Sequence, residues 1–508
     1  MRRRTLLGLL LILLLTGLLA SATACNNISN VPEAESAPPE LGMQTPEASG
    51  SGAGAGEGRQ ENADGSTIFH RYTGPVFTLS VIGETNEVTA SRHTTFTFDG
   101  SSGIPAGRYD SGDLCITDSY SLTNDTERDV EVRILYPFSG CITDLSKILP
   151  VISLDGSEQE TNMLVSAYSG SFISWDGTTG IAANPQPINS WEAYVELFSD
   201  GRYLERSLEE TPNLDQLVTV YEFSNARVNS TEAAVAPTLA ASFYLDESKT
   251  TVLTYMFNGC EGNDGYMRQS FFIPEEWRFS YGRSFYMLVL GDDIYDMDIQ
   301  GYKNGGCYEG EELNGVTADV LRYEMSLGDI LDVILSDFME YYYDGHVIVT
   351  DDRRYAEPLD MGVIYKATVD HMRDYGILSD NIAWRYTMGM GFYDFLVDVI
   401  ALDRVFYLTA DITIPAGSTV EITVDMLKPG SYNFYGFGSD DMGVFGYDIL
   451  TQLNDNLPFT EMTAELIGAT STDIIRQNFG FDPGNGVLDA TLDLSVPHYY
   501  METRNRGA

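Results

Sequence analysis

Runs in which apolar and polar residues alternate recur through most of the chain after about residue 67. The run VEVRILY, 130–136, places its valines and Ile134 on one side and Glu131 and Arg133 on the other. The run ADITIPAGSTVEITVDM, 410–426, holds two such segments around a Pro-Ala-Gly turn. Because successive side chains of a strand point to opposite faces of its sheet, this alternation is typical of half-buried strands. The chain is therefore predicted to fold mainly from β-sheets.

Helical periodicity is limited to three segments. Apolar residues recur at helical spacing over 191–209, where a glycine weakens the middle, and over 362–375. The spacing also predicts a helix over 327–343. There Ser326 stands at the N-cap position, and Asp329 in the first turn suits the positive end of the helix.

The order of these elements indicates two β domains, each with a helical insertion. An N-terminal domain is predicted over 67–235, in which residues 115–123 and 130–136 pair as a β-hairpin. A C-terminal domain is predicted over 236–508, with its helical insertion near 327–375. The expected architecture is a pair of sandwich-like β domains.

The N-terminus has the three parts of a signal peptide. Three arginines precede a leucine-rich run, and small residues follow it up to residue 24. The apolar run is shorter than the ~18 to 20 residues that span a bilayer. Residues 1–24 are therefore predicted to be a cleaved signal peptide, and the mature protein is expected to be exported.

The end of this segment, Ala22-Thr23-Ala24-Cys25, resembles a bacterial lipobox. That resemblance implies that Cys25 is lipidated, becomes the mature N-terminus and anchors the protein to the outer face of the cell membrane. The same residues also fit the small-x-small rule of the ordinary signal peptidase, and both interpretations cut the same bond. Plain secretion and an uncleaved anchor are the alternatives.

The segment 25–66 is rich in Pro, Glu, Ala, Ser and Gly and contains no large apolar cluster. Such a composition cannot bury enough apolar surface to offset the entropy of ordering, so a disordered tether is predicted. A tether of about 40 residues has a mean reach of about 35 Å. This length suits a domain held clear of lipid headgroups and favours the lipid-anchored interpretation.

Three stretches of the C-terminal region carry a second resemblance, namely Gly446-Tyr447-Asp448, RQNFG at 476–480 and HYY at 498–500. They are similar to uncharacterised exported proteins of Gram-positive bacteria. The resemblance implies a cell-surface address. It implies no activity and no catalytic residue.

The charge balance argues against polyanionic partners. The chain carries 75 acidic and 29 basic residues, which gives a formal net charge of −46. A field of this sign repels nucleic acid and anionic lipid surfaces. It suits solubility in an exposed environment, and it also attracts cations such as calcium or basic partners.

Besides Cys25 the chain has four cysteines, and an exported protein can oxidise them. No C-x-x-C spacing occurs, which argues against thioredoxin-like and zinc-ribbon motifs. Cys115 and Cys141 lie too far apart along the predicted hairpin to form a bridge. Cys260 and Cys307 lie in similar glycine-rich loops and are the candidate disulfide, with four buried thiols as the alternative.

Several demanding catalytic motifs are absent from the sequence. It has no G-x-S-x-G elbow, no H-E-x-x-H and no Gly-Lys dipeptide, which excludes a standard phosphate-binding loop. The loop GDDIYDMDIQG, 291–301, is rich in carboxylates of the kind that bind calcium, although its spacing departs from the EF-hand rule. With Ca²⁺ as the candidate cofactor, the candidate metal ligands are Asp292, Asp293, Asp296 and Asp298.

The sequence assigns no catalytic residue, and this favours a binding function. The leading hypothesis is a non-catalytic cell-surface lipoprotein that binds an envelope component, either a glycan or a protein. The alternative is a glycan hydrolase with an unidentified carboxylate pair, since such enzymes need only two acids roughly 5 to 10 Å apart. A third hypothesis is a structural subunit of an envelope assembly. Tyrosine runs at 341–343 and 499–500 are able to stack on sugars or to fill β cores.

Overall fold

The computed structural model of the protein describes residues 60–83, 85–98, 112–168, 188–275, 280–343, 360–379, 391–433, 442–453 and 456–505. The predicted signal peptide, Cys25 and most of the predicted tether lie outside these residues. Within them the chain forms five β-sheets and six α-helices. The prediction of a mainly β fold with helical insertions is therefore confirmed.

The strands and helices are numbered in chain order. The strands are β1 Ser80–Ile82, β2 Val88–Thr97, β3 Asp113–Asn124, β4 Val130–Gly140, β5 Val151–Leu154, β6 Ser157–Glu158, β7 Asn162–Tyr168, β8 Leu217–Val228, β9 Thr238–Tyr244, β10 Thr250–Tyr255, β11 Gly259–Asn263, β12 Tyr266–Phe272, β13 Phe285–Gly291, β14 Tyr295–Tyr302, β15 Val316–Ser326, β16 Arg404–Ile414, β17 Ser418–Pro429, β18 Val444–Leu450, β19 Phe459–Ile467, β20 Thr472–Gln477, β21 Asp489–Thr491 and β22 His498–Asn505. The helices are α1 Leu145–Ile148, α2 Trp191–Phe198, α3 Arg202–Leu208, α4 Leu327–Tyr343, α5 Met361–Asp374 and α6 Phe392–Ala401.

The chain divides into two compact units that are not consecutive halves. Unit 1 includes Leu217–Met325 and Thr387–Tyr393, whereas unit 2 includes Arg59–Gln216, Ser326–Tyr386 and Asp394–Ala508. The sequence-based boundary at residues 235 and 236 thus lies inside unit 1. The reason is long-range pairing, because β4 pairs with β16 and β3 pairs with β17 along nearly their whole lengths. Local patterns along the chain do not reveal such pairings.

Unit 1 is a β-sandwich of two four-stranded sheets, with strand orders β10-β13-β8-β15 and β11-β12-β9-β14. Its core contains Phe223, Phe271 and Phe285, which are at most 3% exposed. The rings of Phe271 in one sheet and Phe285 in the other stack with centroids 3.9 Å apart. Because the sheets bury these faces against each other, their opposite faces form the outside of the unit.

Unit 2 contains three sheets, with strand orders β1-β4-β16-β7, β21-β19-β2-β3-β17-β5-β6 and β18-β22-β20. The alternation predicted from the sequence is present, since every second residue of β2 from Val88 to Phe96 is buried. Between the two larger sheets, the fully buried Arg92 donates a hydrogen bond of 2.8 Å to the fully buried Asp118. Tyr136 of β4 donates to the same carboxylate. This buried network joins strands of different sheets.

The predicted β-hairpin between β3 and β4 is wrong, because these strands belong to different sheets. Strand β3 has β2 on one side and β17 on the other, which leaves no free edge for β4. The chain crosses between sheets after Asn124. The side-chain amide of this residue donates to the carbonyl groups of Arg128, Ile414 and Pro415 and so fixes the corner.

Helix ends follow local signals in the sequence. Ser326 Oγ accepts a hydrogen bond of 3.1 Å from the Asp329 amide, and helix α4 spans Leu327–Tyr343 as predicted. The helix predicted over 191–209 is instead two helices, α2 and α3, because Gly201 between them has a left-handed φ of 74°. In the part of the chain that the structure describes, no helix combines the length and apolar character needed to cross a bilayer.

Candidate functional site

Three tyrosines form a row across the outer face of one sheet of unit 1. Tyr266 in β12 lies directly opposite Tyr244 in β9, and Tyr244 lies directly opposite Tyr295 in β14. Directly opposite residues of neighbouring strands share a face, so all three rings lie on the same side of the sheet. Tyr266, Tyr244 and Tyr295 together constitute the tyrosine row.

The rings of the tyrosine row contact one another and are open to solvent. The ring centroid of Tyr244 lies 5.9 Å from that of Tyr295, with the planes 21° apart, and 5.5 Å from that of Tyr266. Tyr244 is 44% exposed and Tyr295 is 54% exposed. The Tyr266 hydroxyl donates a hydrogen bond of 3.0 Å to Ser242 Oγ, which holds its ring in place. The row is a continuous aromatic surface across three strands.

A β-bulge in β14 brings Tyr295 and Asp298 to the same face. Residues three apart on a regular strand point to opposite faces. The register of β14 shifts between these two residues, and Asp296 adopts a left-handed φ of 53°. The extra residue restores a common direction, and Asp298 consequently lies opposite Ser242, beside the tyrosine row.

Other polar side chains extend this outer face. Ser242 and Arg268 lie two residues from Tyr244 and Tyr266, on the same side of the sheet. Arg268 forms an ion pair with Glu261, its direct neighbour in β11. The face therefore combines aromatic rings with hydroxyl and carboxylate groups, and its arginine is neutralised within the sheet.

The register of this face is set by a tight turn and by the core. Asp264 and Gly265 have φ values of 48° and 79°, as a two-residue hairpin with both central residues left-handed requires. On the inner side, Phe243 and Phe271 are fully buried. A slip of one residue would expose these rings, so the same register that fills the core fixes the tyrosine row outside.

The structure places the predicted metal ligands in different settings, and these residues are Asp292, Asp293, Asp296 and Asp298. The Asp292 carboxylate lies 3.5 Å from Lys249 Nζ, and that of Asp293 lies 2.7 Å from Arg322 Nη2. Asp296 forms the bulge, and Asp298 lies beside the tyrosine row. Among the described residues, no group of three or more His, Cys, Asp or Glu side chains is arranged to hold a metal ion.

The predicted disulfide between Cys260 and Cys307 is not formed, and both residues are thiols. Strand pairing puts Cys260 opposite Gln269, whose side-chain amide donates to its Sγ at 3.2 Å. Cys307 is buried and hydrogen-bonded with Ser270, the next residue of β12. Because Gln269 and Ser270 point to opposite faces, the sheet separates the two sulfur atoms. The similar glycine-rich loops carry no information about this register.

A separate group of ionisable side chains surrounds His498 in unit 2. Its Nδ1 lies 2.6 Å from the Asp64 carboxylate, and its Nε2 lies 2.8 Å from that of Asp448. Burial acts to lower the pKa of His498, but the hydrogen bonds with Asp448 and Asp64 raise it to about 9. The ring stacks with the rings of Trp191 and Tyr500. His498 is thus an imidazolium that donates both of its N–H groups to carboxylates.

The surroundings of His498 are structural. Both ring nitrogens are engaged, which leaves no free acceptor for general-base catalysis. The adjacent cavity, lined by Tyr72 and Glu502, has a volume of about 20 Å³, which is room for about one water molecule. A second cavity of about 20 Å³ lies beside Lys428, whose pKa burial lowers to about 8 and whose Nζ donates to the Thr73 carbonyl. Neither cavity accommodates a sugar ring.

The tyrosines singled out from the sequence differ from those of the row. Tyr499 and Tyr500 are at most 9% exposed and fill the core of unit 2, and the run 341–343 lies in α4. The residues of the tyrosine row are separated in sequence, and only strand pairing aligns them. The sequence does carry one usable signal. Polar Ser242 and Arg268 are two positions from Tyr244 and Tyr266, and residues two apart on a strand share a face, so this spacing predicts that the tyrosines point outward.

No protein-family model matches the chain, and no curated protein matches it.

Proposed function

We propose that the protein is an exported lipoprotein, anchored through Cys25, whose unit 1 binds a glycan of the cell envelope without chemical turnover. The observation that carries this proposal is the tyrosine row, an exposed line of three aromatic rings on a sheet. The signal-peptide pattern and the composition of the tether support the cell-surface address.

The chemistry of the tyrosine row suits a sugar polymer. One face of a pyranose ring presents C–H groups and is apolar, while its edge carries hydroxyls. A tyrosine likewise combines a flat apolar ring with a polar hydroxyl at its tip. Because neighbouring strands lie about 4.8 Å apart, the row offers successive ring contacts along a line across the strands. Such a line suits an extended chain of sugars.

The rings are held in place before any ligand binds. Tyr266 is fixed by its hydrogen bond to Ser242, and Tyr244 contacts a ring on each side. All three residues belong to paired strands rather than to a loop. Side chains that are already ordered lose little conformational entropy on binding, which favours affinity.

The carboxylates on this face favour binding over hydrolysis. A glycosidase of the usual kind needs two carboxyl groups that flank the scissile bond. Glu261 forms an ion pair with Arg268, and the exposed Asp298 beside the row has no second free carboxylate directly opposite it in the paired strands. A glycan hydrolase remains the alternative proposal, and the binding assay is designed to detect its products.

The substitution Tyr244→Ala tests the proposal because it removes the central ring. The full chain is run through native gels that contain hydroxyethyl cellulose, barley β-glucan or glycol chitin, and it is mixed with fractionated envelope glycans. We expect wild type to be retained and Y244A to bind at least tenfold more weakly, a loss of about 1.4 kcal/mol or more. The masses of the glycans are followed in parallel, with and without calcium.

Tyr281→Ala is the matched control. Tyr281 is a 54% exposed tyrosine of unit 1 that does not belong to the row, and its removal should leave retention unchanged. Unchanged unfolding curves for both variants show that the fold is retained. Equal retention of wild type and Y244A, or no retention of wild type by any glycan, contradicts the proposal. Smaller products would support the hydrolase instead. A calcium requirement would support the aspartates of 292–298 as calcium ligands.

A further inference from the structure

Asp298 carries a negative charge in the line of residues next to the tyrosine row, on the same outer face of the sheet. It is exposed, it lies opposite Ser242, and no described side chain forms an ion pair or hydrogen bond with it. Positions two residues apart on a strand are about 6.6 Å apart. Asp298 and Ser242 therefore lie one step along the strands from the tyrosine row. A sugar stacked on Tyr244 is within reach of the Asp298 carboxylate.

The electrostatic setting of this carboxylate is negative. Arg268, the basic residue of the same sheet row, is engaged by Glu261 and lies over the ring of Tyr302. Between residues 217 and 325 the chain has seventeen acidic and seven basic residues. Several of the bases are held by carboxylates elsewhere in the unit, as Arg322 is by Asp293 and Lys249 is by Asp246. A ligand on the tyrosine row consequently meets a negative charge that no basic side chain of the described residues pairs with.

We propose that the site selects an uncharged glycan, and that Asp298 is the residue that determines this specificity. The inference rests on the proposed function of the tyrosine row and names the class of ligand. A carboxylate accepts hydrogen bonds from sugar hydroxyls, and such charge-assisted bonds are stronger than neutral ones. The same carboxylate repels a glycan that carries carboxylate or phosphate groups, which is discrimination by an unfavourable contact with the wrong ligand.

The test uses pairs of polymers with the same backbone and different charge. Retention of the full chain is measured with hydroxyethyl cellulose against carboxymethyl cellulose, and with glycol chitin against its carboxymethyl derivative. We expect wild type to bind the neutral member of a pair at least tenfold more tightly than the anionic one. In Asp298→Asn this preference should fall at least threefold, through weaker binding of the neutral polymer, tighter binding of the anionic one, or both.

Glu324→Gln is the control for charge at a distance. Glu324 is an exposed residue of β15, in the other sheet of the sandwich, and its removal should leave the preference as in wild type. Raising the salt concentration should narrow the preference of wild type and have less effect on D298N. These readouts depend on the ligand pair, so they separate specificity from the stability of the fold.

The outcomes for specificity and for the proposed function are distinguishable. Retention that Y244A abolishes, combined with equal or tighter binding of the anionic polymers, overturns the specificity proposal and leaves glycan binding intact. Equal changes of the preference in D298N and E324Q would likewise overturn the role of Asp298 and leave glycan binding intact. If no polymer is retained and Y244A has no effect, glycan binding itself fails and the specificity proposal fails with it.

Discussion

At the scale of single residues, His498 shows how a buried charge is held in this very acidic protein. Its imidazolium lies between Asp64 and Asp448, and its ring stacks with those of Trp191 and Tyr500. A buried charge is tolerated when it is paired and fully hydrogen-bonded. Asp64 lies in the last part of the segment predicted to be a disordered tether, 25–66, so its contact with His498 also fastens the start of the described chain.

His498→Gln should reduce stability in a pH-dependent way. The folded-state pKa of about 9 is above the ordinary value, so the contribution of the imidazolium is complete below pH 6.5 and is lost as the pH rises through 9. We expect the difference in free energy of unfolding between wild type and H498Q to be on the order of 3 kcal/mol at pH 6 and to decline towards pH 9.5. Urea unfolding at a series of pH values measures it.

The control for this prediction is His93→Gln. His93 is hydrogen-bonded to Thr463 on an outer sheet face, and its side chain is 43% exposed. Lys428, whose pKa is lowered, makes stability rise with pH above about 8, but this effect is common to wild type and both variants and cancels in the difference. A destabilisation by H498Q that is constant from pH 6 to pH 9.5 would show that the imidazolium charge is not what stabilises the fold.

The residue scale also shows what the sequence reveals of a site. The aspartates of 292–298 are close together in sequence, so local spacing predicts them as a cluster, but their partners, such as Lys249 and Arg322, come from other strands. The tyrosine row has the opposite character, because its members become neighbours only when three strands pair. Composition and local spacing detect the first kind of cluster and miss the second.

At the scale of elements, alternation and caps predicted the strands and helices well, and single residues decided how they connect. Strand β3 and strand β4 were predicted as strands, but the side chain of Asn124 turns the chain into another sheet. Gly201 divides a predicted helix, and Asp296 supplies the bulge in β14. Each of these residues adopts or stabilises a local conformation whose consequence depends on distant strands, which the hydrophobic pattern does not specify.

Phe271→Ala should destabilise unit 1, since Phe271 links its two sheets. The ring is fully buried and stacks on Phe285 of the facing sheet at 3.9 Å. Replacing a buried phenylalanine with alanine removes apolar contacts and leaves a cavity, at a cost of about 3 to 5 kcal/mol. Calorimetry or denaturant unfolding of the full chain, with a tyrosine or tryptophan signal, measures the change.

Phe272→Ala is the neighbouring control for that prediction. Phe272 follows in the same strand but points to the outer face and is 37% exposed, so its removal should cost much less. Similar losses for both variants would mean that the assigned inner and outer faces of β12 are wrong. The tyrosine row would then lose its place on the outside of the sandwich.

At the scale of the whole molecule, the sequence predicted a mainly β protein of two parts but not how the chain is divided between them. A contiguous division is the simplest expectation when only local patterns are known. The structure instead pairs strands from both ends of the chain, as in β4 with β16, and inserts unit 1 between segments of unit 2. Such pairings depend on tertiary packing, and no segment carries them alone.

The proposed address makes a prediction for the whole molecule in the cell. Cells that express the full chain and are fed labelled palmitate should incorporate label into wild type and not into Cys25→Ser, because the lipidated cysteine becomes the mature N-terminus. Cys260→Ser, a change at a half-buried thiol of unit 1, should be labelled as wild type is. Absence of label from wild type, with export retained, would favour plain secretion.

The insertion of unit 1 has a mechanical consequence. The chain enters unit 1 after Gln216 and leaves it after Met325, and the two strands at these points, β8 and β15, are hydrogen-bonded neighbours in one sheet. A force applied to unit 1 is therefore shared by at least two covalent connections. A single proteolytic cut at either connection leaves unit 1 joined to unit 2 through the other.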